Sequence, residues 1–93
     1  MDKEAIMAFV EGVPVLIESA KKLRLDKAHG FIHKSAEAEI NGKHGWLIWD
    51  YILYNEITFD EDGDDGKCIS LHHSFSDKET EQVFDALVKK YGV

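Results

Sequence analysis

The sequence predicts an α+β domain of two layers in the order α-β-β-β-α: a three-stranded antiparallel meander, with N- and C-terminal helices packed on one face. Three observations carry this expectation. Apolar residues recur at three- and four-residue spacing near both ends, they alternate at a spacing of two between residues 34 and 75, and an Asn-Gly pair interrupts the alternation. With 93 residues, 44% of them hydrophobic, the chain holds enough apolar mass for one core and too little for two, so residues 1–93 read as a single compact domain.

The first element runs from Asp2 to Leu25, where Ile6, Phe9, Val10, Val13, Leu16, Ile17, Ala20 and Leu23 form the apolar stripe of an amphipathic helix. Gly12 and Pro14 disturb it. Proline lacks the N–H that would bond the Val10 carbonyl, and its ring crowds that carbonyl, so a kink or two shorter helices are expected. Lys21, Lys22 and Arg24 suit a helix C-terminus, and Asp26 to Gly30 reads as a connector.

The period then changes to two. Ala36, Ala38 and Ile40 alternate with Ser35, Glu37 and Glu39, the pattern of a strand buried on one side. Asn41-Gly42 is the pair that most easily supplies the two positive φ angles of a type I′ hairpin turn. A two-residue loop there sets Ile40 opposite Lys43, Ala38 opposite Gly45, Ala36 opposite Leu47 and Lys34 opposite Trp49. The core face of strand two is then odd-numbered: Leu47, Trp49, Tyr51, Leu53, Ile57 and Phe59, broken by Asn55.

Strand two is expected to run to Phe59 and to end in the acidic loop Asp60 to Gly66. A third strand follows through Ile69, Leu71, His73 and Phe75, with Ile69 opposite Phe59 and His73 opposite Asn55. "SDKE", Ser76 to Glu79, is a capping box, in which the serine hydroxyl accepts from the Glu79 N–H and the Glu79 carboxylate reaches back. Val83, Phe84, Leu87, Val88 and Tyr91 supply the stripe of the last helix, and Gly92 closes it.

With both helices on the odd-numbered face, the even-numbered face is expected to be bare, and stretches of strand edge to be unpaired and open to strand addition; the alternative is that the first helix, broken at Pro14, wraps round and covers part of that face. Trp46, Ile48, Ile52 and Tyr54 then form an exposed patch fringed by Glu37, Glu39, Asp50 and Glu56. Aromatics on a rigid sheet with an acidic rim have the character of a protein-binding surface, since they give large contact area at small entropic cost while the charges steer a basic partner.

Other chemistry is poorly supported. Three of the five histidines fall into expected cross-strand pairs with acids on the even-numbered face, His44 with Glu39, His33 with Asp50 and His72 with Glu56, each acid favouring the charged imidazole. The spacing points to no metal site: Cys68 stands alone, and His72 and His73 point to opposite faces. Asp60, Asp62 and Asp64 have the spacing of a calcium loop, but its sixth position is Asp65 where glycine is needed and its twelfth is Leu71 where glutamate is needed. No catalytic residue, cofactor or metal ligand is assigned, because there is no nucleophile motif and no phosphate loop.

The element order is similar in topology to the double-stranded-RNA-binding domain. That resemblance stops at the order, since the basic cluster expected at the start of the second helix is replaced by "SDKETEQ", Ser76 to Gln82. A formal charge of −7 opposes nucleic acid and anionic membranes. A lone cysteine and the lack of a signal-peptide pattern point to the cytoplasm, and no apolar run reaches the roughly 20 residues that span a bilayer. The expected function is a small acidic, non-enzymatic interaction domain, such as an inhibitor, immunity-type or adaptor protein, bound to a basic protein. The alternative is a self-associating homodimer with a structural or small-ligand-binding role.

Overall fold

A computed structural model describes residues 3–19, 34–50, 55–63, 68–72 and 76–93. In chain order the elements are α1 (Lys3–Ser19), β1 (Lys34–Ile40), β2 (Lys43–Asp50), β3 (Glu56–Glu61), β4 (Cys68–His72) and α2 (Asp77–Tyr91). The α+β class and the flanking helices are as the sequence predicts. The sheet has four antiparallel strands in the order β1-β2-β3-β4, not three.

The extra strand comes from dividing the long second one. The apolar run past Asp50 reads as continuous strand, but Lys43–Asp50 and Glu56–Glu61 are two antiparallel strands that pair with each other, Leu47 opposite Phe59 and Trp49 opposite Ile57. Asn55 lies between them with φ at 49°, the left-handed backbone that asparagine tolerates better than most residues. Its Oδ1 accepts from Trp49 Nε1 at 2.9 Å. Asn55 thus ties the connection to β2, where an opposite number in His73 was expected; His73 is outside the described residues.

The first hairpin matches its predicted register at every pair from Lys34–Trp49 to Ile40–Lys43. Asn41 and Gly42 have φ of 56° and 75°, as the type I′ turn requires. Ile69 lies opposite Phe59, also as predicted, but a register shift between Ile57 and Thr58 places His72 opposite Ile57 where Glu56 was expected.

Both helices cover one face of the sheet. Val10, Val13 and Ile17 of α1 and Val83, Phe84 and Leu87 of α2 are buried against Ala38, Ile40, Leu47, Trp49, Ile57, Phe59, Ile69 and Leu71. Leu47 and Trp49 of β2 and Ile57 and Phe59 of β3, all odd-numbered, are in the core, with Trp49 tilted on Phe84 at a centroid distance of 6.2 Å. Gly45 lies where β1, β2 and β3 adjoin, paired with both Ala38 and Glu61. A side chain there would strike the Asp60 carbonyl and come within 2.9 Å of the Phe59 ring.

α1 passes through Pro14 as one helix, which corrects the expectation of two pieces. The carbonyl that Pro14 deprives of a partner is Val10 O, and the Tyr91 hydroxyl of α2 donates to it at 2.6 Å. Pro14 O in turn accepts from Asn41 Nδ2 at 2.9 Å. The residues of α1 expected beyond Ser19 lie outside the described part.

The capping box forms as predicted, Glu79 N donating to Ser76 Oγ and Ser76 N to Glu79 Oε1. Gly92 closes α2 by donating to Val88 O, in extended and not left-handed backbone. The chain then pairs with the outer edge of β1: Gly92 bridges Ala38, and Val93 N donates to Glu37 O at 3.2 Å. Stretches of strand edge were expected to be unpaired; the middle of this one is hydrogen-bonded.

Candidate functional site

The even-numbered face carries the candidate site. Cross-strand pairing of β1 with β2 sets Glu37 opposite Trp46 and Glu39 opposite His44. Pairing of β2 with β3 sets Trp46 opposite Asp60 and Ile48 opposite Thr58. Trp46 is thus flanked across both ladders by acidic residues. It is 39% exposed, the only large apolar residue of the described strands so open to solvent, and Glu37 and Glu39 are exposed beside it.

The expectation that this whole face is bare does not hold at its centre. Ile48 is 8% exposed and Asp50 3%, and Thr58, Asp60 and Cys68 are buried as well. Ile48, Asp50, Thr58 and Asp60 are on β2 and β3, the inner strands of four, and Cys68 is on the edge strand β4. Glu56 is half-buried and its Oε2 accepts from Ser70 Oγ at 3.0 Å. Ile52 and Tyr54 lie outside the described residues. Of the eight residues read as partner-binding, Trp46, Glu37 and Glu39 are together and exposed, whereas Ile48 and Asp50 are inside.

His44 belongs to the site in a way the sequence reading missed. Its expected partner was Glu39, directly opposite. Its Nε2 instead meets Glu37 Oε2 at 2.9 Å, on the diagonal, and its Nδ1 meets Asp62 Oδ2. Asp62 arrives because β3 folds back on β2: Glu61 pairs with Gly45, and Asp62 N donates to His44 O at 3.1 Å. Glu37, and after it Asp62, push the imidazole pKa up from 6.5 by hydrogen-bonding its charged form.

This arrangement limits what His44 can do chemically. Both ring nitrogens donate to carboxylates in the charged form, so neither offers a lone pair for metal ligation or proton abstraction. Among the described residues there is no group of three His, Cys, Asp or Glu side chains arranged to hold a metal ion. Cys68 is fully buried. What the group does is link β1, β2 and the segment after β3 into one platform beside Trp46.

Around that platform the charge is mostly negative: Glu37, Glu39 and Asp62 are exposed, with Glu61 pairing Lys43 at 3.6 Å at its side. Among the described residues no helix is long and apolar enough to cross a membrane. Comparison with protein-family models, with curated proteins and with solved structures gives no match.

Proposed function

We propose that this protein is a small, acidic, non-enzymatic interaction domain of the cytoplasm, an inhibitor, immunity-type or adaptor protein, which binds a basic partner protein through the sheet face around Trp46. The observation that carries the reading is the exposed Trp46 between Glu37 and the acidic end of β3, on a surface held in place by His44. An indole on rigid strands loses little entropy when a partner covers it, and carboxylates around it raise the encounter rate with a positively charged surface. In this reading Trp46, Glu37 and Glu39 make contact, whereas Ile48, Asp50 and Glu56 support them from within the sheet.

The test is a pull-down with the wild type, Trp46→Glu and the double variant Glu37→Lys/Glu39→Lys, each checked for native circular dichroism. The expected result is one basic protein retained by the wild type, released as salt rises, and lost in both variants. Retention of the same protein by folded Trp46→Glu would remove this face as the interface. Light scattering on the same samples separates the homodimer alternative, in which Trp46→Glu would halve the mass with no partner present.

A further inference from the structure

At the other pole of the molecule, α1 and α2 enclose a groove of about 570 Å³. One wall is a single stripe of α1, Lys3, Ile6, Met7, Val10 and Glu11, spaced i, i+3, i+4, i+7 and i+8; the other is Ala86, Lys89 and Lys90 of α2. The floor is apolar, made of Ile6, Met7, Val10 and Ala86. Met7 is half-exposed on it, a flexible side chain that adapts to what it meets.

The rim reverses the sign of the chain. Three lysines stand against one acid, Glu11, in a protein whose formal charge is −7. Lys34 and Lys43 are neutralised elsewhere by Asp85 and Glu61, but none of Lys3, Lys89 and Lys90 makes an ion pair among the described residues. Lys90 lies over the Tyr91 ring, 5.9 Å from its centroid.

Size and shape select the occupant. The volume falls within the roughly 300 to 1,000 Å³ of small-molecule sites. Eight of the described residues line it, against about 20 to 30 a side for a standard protein–protein interface. The groove is concave and about 12 Å long on the α1 side, from Lys3 to Glu11 at 1.5 Å per residue. A flat anionic membrane cannot reach its floor and is repelled by the rest of the surface.

We propose that this groove binds a free single-chain carboxylate, its acyl tail along Ile6, Met7, Val10 and Ala86 and its head group at Lys89 and Lys90. The site is separate from the Trp46 face and does not depend on it.

Sodium dodecanoate, kept below its micellar concentration, is the probe, titrated calorimetrically and by amide chemical shifts into the wild type and Lys89→Glu/Lys90→Glu. The expected result is one-to-one binding with shifts confined to the groove residues, weakened at least tenfold by the charge reversal. Dodecyltrimethylammonium should bind at least tenfold more weakly than dodecanoate, and vesicles of anionic phospholipid should leave the groove amides unmoved. Both lysines are exposed, so the variant should fold, which circular dichroism checks. Equal affinity for the cationic amphiphile, no loss on charge reversal, shifts elsewhere, or no binding overturns the proposal. Shifts of the groove amides on concentrating the protein alone would assign the groove to a second copy and overturn it equally.

Discussion

The Tyr91 hydroxyl donates to the Val10 carbonyl, the acceptor that Pro14 leaves without its helical N–H. Two residues 81 apart in sequence thereby solve a problem local to α1 and dock α2 against it. Replacing the donor by phenylalanine should leave a half-buried carbonyl unsatisfied and cost about 1 to 2 kcal/mol. In a Pro14→Ala background the restored N–H takes over, so Tyr91→Phe should cost much less, with a coupling of about 1 kcal/mol in a double-mutant cycle by urea unfolding. Additive effects would show that Pro14 and Tyr91 act independently. Burial first, and Glu11 second, push the phenol pKa up, so the donor is protonated at neutral pH. Its folded pKa lies above the unfolded value of about 10, so the contribution is complete below pH 10 and is lost as pH rises through the folded value.

Gly45 controls how closely β3 can approach β2. A methyl group there would meet the Asp60 backbone carbonyl, which cannot swing aside as a side chain would, and the ring of Phe59, which is fully buried. Gly45→Ala should therefore cost about 3 kcal/mol, at the upper end of overpacking effects, and lower the urea midpoint accordingly. The same change at Gly12, on α1 with open space around it, should be neutral or stabilising by up to about 1 kcal/mol through helix propensity. A similar response at both sites would mean that the sheet yields at Gly45.

These relationships mark the boundary of what was legible in the sequence. The alternating pattern and Asn41-Gly42 defined the first hairpin pair by pair, because a two-residue turn and a one-sided core leave a single register. Ser76 and Glu79 announced α2 by the same kind of local chemistry. The β2–β3 turn was hidden because apolar residues continue past Asp50, so hydropathy showed no break, and Asn55 alone, without glycine beside it, is a weak turn signal. Missing that turn moved Asp62 away from His44 and left Ile48 and Asp50 on a face thought to be open. Tyr91 read as one more apolar residue of a helix stripe, and nothing within α1 indicates who satisfies Val10. Parity along a strand survives such an error, since Leu47, Trp49, Ile57 and Phe59 stay on one face whether one strand or two carry them; long-range polar partners do not.

His44 connects the platform to pH. Glu37, and after it Asp62, hold its pKa above 6.5, and each does so by accepting a hydrogen bond from the charged ring. Because the folded value is raised, the stabilising contribution of this group is complete below the unfolded value of about 6.5 and is lost as pH rises through the folded value. Partner binding should move the other way. Loss of the imidazole proton makes the surface beside Trp46 more negative by one charge, so affinity for a basic partner should increase over the same interval. The ring-proton shifts of His44, followed by NMR against pH, check the first step. The midpoint is expected above 6.5 in the wild type and lower in Glu37→Gln and in Asp62→Asn. A wild-type midpoint at or below 6.5 would mean that the carboxylates do not hold the ring in solution, and with it the pH dependence expected of the Trp46 face would disappear.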